Sequence, residues 1–104
     1  MADEIPVKLA VQRTARGLEA AVNASDPDAT AGRVSPDFAD RDTELRPLLS
    51  RTQRAELIGT VATRTLLHLH LADGDTRVVE LLWREHDGAW LVEDARVFSL
   101  IAGE

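Results

Sequence analysis

His68 and His70 stand one residue apart in the run Leu66-Leu67-His68-Leu69-His70-Leu71. In an extended chain this spacing puts both imidazoles on one side, because successive side chains alternate between faces. Two such nitrogens can join a third ligand around a metal ion, or one can act as a general base near neutral pH. Asp94 and Arg96 repeat the spacing near the C-terminal end of the chain. There they can orient a polar substrate, with Asp94 steering a histidine, or simply pair with each other as neighbours on one strand. Asp37, Asp40 and Asp42 form a third group, of carboxylates. Aspartate is also favoured in such polar loops for turn chemistry, which is the plainer account. Trp83 and Trp90 are first of all core or interface anchors, since each ring buries a large area and has one N–H to satisfy; ligand stacking is their second role.

The elements that must position these groups lie mostly in the last forty residues. Val61 to Ala72, Thr76 to Glu85 and Ala89 to Leu100 alternate in β fashion, joined by Asp73-Gly74 and Asp87-Gly88. An Asp-Gly between alternating runs marks a tight hairpin, because a primed turn needs positive φ at both central residues. Two-residue loops would set 72 opposite 75 and 86 opposite 89. One face then collects Arg64, Leu66, His68, His70, Arg77, Val79, Leu81, Trp83, Trp90, Val92, Asp94, Arg96 and Phe98, with Thr65, Leu67, Leu69, Leu71, Val78, Glu80, Leu82, Leu91, Glu93, Ala95 and Val97 on the other. The histidine face mixes apolar walls with a few polar groups, as ligand pockets do. It makes Trp83, Trp90, Arg96, Arg64, Leu66 and Phe98 the expected ligand contacts, and His68, His70 and Asp94 candidate catalytic groups. In this register Arg77 neighbours His70, and Arg96 lies two strands across from His68. Cations there repel a divalent ion and no third ligand is evident, so neither metal nor cofactor is expected.

Upstream, Val7, Val11, Ala15, Leu18 and Val22 draw one stripe on a helix from Asp3, a cap, to Asn23. Ser25 or Asp26 before Pro27 starts a short second helix to about Val34, and Ser35-Pro36 starts a further turn to Phe38. Pro47 interrupts helix nearby, while Ser50 can cap a helix from Arg51 to Ile58 that Gly59 ends. Helices first and a meander after them predict an α+β fold in which the N-terminal helices pack on one face of an antiparallel sheet.

The chain of 104 residues has room for one domain, spanning 1–104. Eighteen acidic against twelve basic residues, net charge −6 with Lys8 the one lysine, exclude a general affinity for nucleic acid or anionic lipid. With no cysteine there is neither disulfide framework nor thiolate metal site. No stretch approaches the ~18 apolar residues of a membrane span, and Asp3 and Glu4 stand where a signal peptide is basic, so a cytoplasmic protein is expected. Both sheet faces are largely apolar. Helices cover one, and a second copy of the chain is the simplest cover for the other, which predicts a homodimer through the sheet.

The N-terminal amphipathic helix, the segment Ser35-Pro36-Asp37-Phe38 and above all Leu82-Trp83-Arg84-Glu85-His86-Asp87-Gly88-Ala89-Trp90-Leu91-Val92 resemble the nuclear transport factor 2-like superfamily. This is the cystatin-like α+β cone fold of SnoaL-like and ketosteroid-isomerase-like proteins. The Trp, turn, Trp pattern is also similar to the association domain of calcium/calmodulin-dependent kinases. The resemblance implies a curved sheet wrapped around the first helix, a conical apolar pocket and dimerisation through the sheet. It also implies a catalytic or pocket carboxylate after the short helices, where Asp37, Asp40 and Asp42 stand, and so adds Asp40 to the candidate catalytic groups His68, His70 and Asp94. Isomerase-type members use a tyrosine and an aspartic acid as oxyanion donors, and this chain has no tyrosine. Epoxide-hydrolase-type members use Asp, Arg and Asp, of which Asp94 and Arg96 offer only part. The expectation is therefore a small dimeric domain that binds a small apolar ligand or a partner protein without catalysis. The alternative is a SnoaL-like isomerase, cyclase, dehydratase or hydrolase working on a hydrophobic metabolite by acid/base catalysis.

Overall fold

A computed structural model describes residues 7–99 of the chain. The expected cap at Asp3 and the last residue of the final strand, Leu100, lie outside them. Four helices precede four strands: α1 (Val7–Asn23), α2 (Pro27–Ala31), α3 (Pro36–Arg41), α4 (Leu45–Ser50), then β1 (Thr52–Val61), β2 (Arg64–Leu71), β3 (Thr76–His86) and β4 (Ala89–Ser99). The strands form one open antiparallel sheet in chain order. The fold is α+β, as the segregation of patterns predicted.

The helix starts follow their sequence signals. Asp26 accepts from the Ala29 N–H and Ser35 from the Phe38 N–H, each with proline next in the chain. The stripe of α1 buries Val11, Ala15, Leu18 and Val22. They meet Leu67, Leu69, Leu71, Val79, Leu81, Trp83 and Val92 in one core, with Phe38 of α3 and Leu45, Leu48 and Leu49 of α4 closing it. Pro47 does not interrupt helix. It sits in the first turn of α4, where a missing N–H costs no intrahelical bond.

The largest correction concerns residues 51–58, expected as a helix. Residues 52–58 belong to β1. Gln53, Arg54, Ala55, Glu56 and Leu57 are good intrinsic helix formers, but pairing with β2 and burial of Thr52 and Ala55 outweigh that preference. The hairpin joining β1 to β2 escapes notice because its turn has no glycine. Val61 pairs with Arg64 around Ala62-Thr63, and Ala62 itself adopts φ +54°. The sheet therefore has four strands rather than three.

Register supplies the second correction. Asp87-Gly88 forms the expected two-residue turn, with φ +51° and +87° and His86 opposite Ala89. Asp73-Gly74 does not. Leu71 N–H donates to the Asp75 carbonyl, so Ala72, Asp73 and Gly74 make a three-residue loop with Gly74 at φ +91°. That one extra residue turns β3 over relative to β2. A bulge then turns β4 over halfway along: Trp83 pairs with Val92 but Leu82 with Asp94, leaving Glu93 extra. The bulge is held from outside the sheet. Val92 bridges Val34, its carbonyl accepting from the Ser35 N–H, and the Glu93 carbonyl accepts from Arg41 Nη2 at 2.6 Å.

Candidate functional site

These registers sort the inward and outward residues. The inner face, against the helices, holds Thr65, Leu67, Leu69, Leu71, Val79, Leu81, Trp83 and Val92, all buried. The outer face is ordered in rows across the strands: Arg54, His70 and Thr76; Glu56, His68, Val78 and Phe98; Gly59, Leu66, Glu80 and Arg96; Val61, Arg64, Leu82 and Asp94. His68, His70, Asp94, Arg96, Arg64, Leu66 and Phe98 share a face as expected, but only because the loop at Gly74 and the bulge at Glu93 compensate. Both tryptophans leave it. Trp83 is a core residue, 2% exposed, whose Nε1 donates to Thr65 Oγ1 at 2.8 Å, and Trp90 packs against the same core. Placed there, neither ring lines the histidine face.

The densest chemistry on the outer face is at its β1–β2 end. Glu56 lies directly opposite His68, and His70 follows two residues along the same strand. His70 Nε2 stands 2.9 Å from Glu56 Oε1, and the two imidazole centroids are 4.4 Å apart. One donor atom from each of Glu56, His68 and His70 falls within 4.8 Å of the others. Arg54 Nη2 reaches 3.3 Å from both His70 Nε2 and Glu56 Oε1. The hydrogen bond from His70, then the Arg54 guanidinium, hold the Glu56 carboxyl below its usual range. His68 Nε2 is buried and has no hydrogen-bond partner among the described residues.

The other expected groups scatter. Asp94 stands level with Arg64 and Leu82, in a different row from His68, so the carboxylate beside the histidines is Glu56. Arg77, expected beside His70, pairs with Leu69 across the inner side and forms an ion pair with Asp75. Arg64, Glu80, Leu82, Asp94 and Arg96 border a shallow depression of about 70 Å³, with Arg64 Nη1 3.8 Å from Glu80 Oε1. Asp40 is exposed on α3. Asp42 is a cap: its carboxylate accepts from the Glu44, Leu45 and Arg46 N–H groups at 2.8–3.0 Å. Burial works to raise its pKa, but those three N–H donors and the Arg46 charge prevail and lower it.

A larger open cleft, about 380 Å³, lies among the ends of α1, α2 and α4 and the start of β1. Val22, Pro27, Ala31 and Leu49 give it apolar walls, with Asp26 and Arg46 at its polar rim. Its size and lining suit a small, mainly apolar molecule. Glu56, Arg54 and the cleft residues were all missed from sequence. For Glu56 and Arg54 a signal existed in the β-branched Thr60-Val61 and the period-two spacing of the apolar Ala55 and Leu57, but helical propensity masked it. The cleft joins residues from four elements and has no local signal. No family model matches the chain, and no curated protein sequence is detectably similar to it.

Proposed function

We propose that the protein is a non-catalytic binding domain of the nuclear transport factor 2-like kind, two copies of which pair through their outer sheet faces. The observation that carries this reading is the character of that face. The helices take up the inner side, while the outer side carries Val61, Leu66 and Phe98 at 77%, 37% and 44% exposure. Four arginines, Arg54, Arg64, Arg84 and Arg96, are interspersed there with Glu56, Glu80 and Asp94. On a chain of net charge −6 this face carries its charges in near balance, so two copies meet there with little net repulsion and with complementary charges available. Edge-to-edge pairing is less suitable, because side chains of α1 occupy backbone groups of β1 and Val34 occupies part of β4.

The order of elements and the packing of α1 along β1 and β2 support the cone-fold likeness. The inner face, where that likeness implies a conical pocket, is filled by Leu67, Leu69, Leu81 and Trp83. The ligand-binding part of the proposal therefore rests on the cleft between the helix ends. His70 and Asp94 border open depressions and Asp40 is exposed, not set in a closed cavity that excludes water, which favours binding over acid/base catalysis.

Sedimentation equilibrium at micromolar concentration tests the pairing. The wild-type chain is expected to be a dimer, and Leu66→Glu with Phe98→Glu a folded monomer by circular dichroism. A wild-type monomer would refute it, as would a dimer insensitive to the two substitutions.

A further inference from the structure

We infer that Glu56, His68 and His70 form a binding site for a divalent first-row transition ion, with Zn2+ the representative cation. Two imidazole nitrogens and one carboxylate oxygen are a donor set that zinc takes readily, leaving a coordination position open to water. The three residues come from neighbouring positions on paired strands, so backbone hydrogen bonds fix their spacing before any ion arrives. Their donor atoms lie within 4.8 Å of one another, and Glu56 and His70 already touch at 2.9 Å. Ligands of one tetrahedral zinc, each at ~2.0–2.1 Å, stand roughly 3.3 Å apart, so modest side-chain rotations complete the set.

His68 gives the independent indication. Its Nε2 is buried with no hydrogen-bond partner among the described residues, and an unpaired buried nitrogen is costly unless something binds it. The cation nearest the cluster is Arg54, whose guanidinium lies 3.3 Å from both Glu56 and His70. Its side chain is 59% exposed, so it can turn into solvent and yield its place. Arg54 and the metal ion are thus competitors for one carboxylate, and the site is filled by exchange of one cation for another. All three donors belong to one chain, so the inference does not depend on pairing of copies.

Calorimetric titration of the full chain with ZnCl2 tests this, together with NMR of the imidazole ring nitrogens. One ion per chain is expected, shifting the His68 and His70 resonances and leaving those of His86, the remaining histidine, in place. Glu56→Gln and His70→Ala should each lower affinity by at least about tenfold, since even outer-shell partners of metal ligands contribute that much. Arg54→Ala should raise it by about fivefold, the worth of an exposed unit charge at ~4 Å. Zn2+ should also raise the melting temperature of the wild type and not of Glu56→Gln. Absence of binding at millimolar Zn2+ overturns the site, and so does equal binding by Glu56→Gln, equal response of His86, or weaker binding by Arg54→Ala.

Discussion

Asn23 and Ala55 exchange two hydrogen bonds, Asn23 Nδ2 donating to the Ala55 carbonyl at 3.1 Å and the Ala55 N–H donating to Asn23 Oδ1 at 2.7 Å. The amide of Asn23 thus acts as one more peptide unit on the free edge of β1. One helical turn earlier, Glu19 accepts from the Leu57 N–H at 2.6 Å. Four residues of helix rise about 6.0 Å and two residues of strand about 6.6 Å, so side chains at i and i+4 meet backbone groups at j and j−2. The edge nearest the long helix is occupied by the protein's own side chains, which withholds those backbone groups from any further strand.

Replacing Asn23 with alanine removes both bonds and leaves the polar groups of a buried residue unpaired. The expected loss is about 1–3 kcal/mol in urea denaturation. Asn23→Asp, which keeps the acceptor and discards the donor, should fall between the two. An Asn23→Ala variant as stable as wild type would mean that water replaces the amide fully.

Trp83 anchors the inner face by its ring and by its N–H to Thr65. Trp83→Phe should lose about 1–3 kcal/mol because the buried Thr65 hydroxyl loses its donor. Trp83→Ala should lose about 3–5 kcal/mol by opening a cavity. Fluorescence checks the placement: removal of Trp83 should remove the blue-shifted part of the emission, with the half-buried Trp90 contributing the redder part. The reverse assignment would contradict the register derived from Gly74.

Ala62 carries φ +54° in the β1–β2 turn, a left-handed conformation that a Cβ disfavours. Ala62→Gly relieves that strain but loosens the unfolded chain, and the net expectation is a gain of up to about 1 kcal/mol. A loss of stability would show that the turn tolerates the alanine without strain.

Acid should destabilise the fold. Asp42, Glu56, Asp75 and Glu93 all have pKa values lowered below the ordinary 3.8 for aspartate and 4.5 for glutamate. Burial opposes the shift at Asp42 and backbone N–H donors produce it; at Glu56 the cause is first His70, at Asp75 Arg77, and at Glu93 Ser35. A depressed folded pKa contributes stability that is present above the unfolded value and is lost as pH falls through the folded one. The urea midpoint should therefore hold above about pH 5 and drop progressively below it. Asp42→Asn should flatten part of that decline, and an unchanged pH profile in this variant would remove Asp42 from the account.

Much of the secondary structure was legible because its causes are local. The stripe of α1, the caps just before Pro27 and Pro36, and the turn at Asp87-Gly88 each depend on a few adjacent residues, and each stands where the pattern put it, with Asp26 rather than Ser25 serving as the first cap. Residues 52–58 depend on a partner strand instead. Their helical propensity is real, but it amounts to tenths of a kcal/mol per residue and yields to a ladder of hydrogen bonds with β2.

By itself, then, the sequence determined the class, helices followed by an antiparallel sheet, and the residues with chemistry to offer. Tertiary structure alone decided which of them meet. Side chains alternate with period two, so a single extra residue at the Gly74 loop moved Trp83 into the core, and another at Glu93 kept Asp94, Arg96 and Phe98 beside the histidine rows. Glu56, placed against His68 by a strand pairing with no glycine in its turn, is the clearest case: the residue was visible, but its neighbour was not.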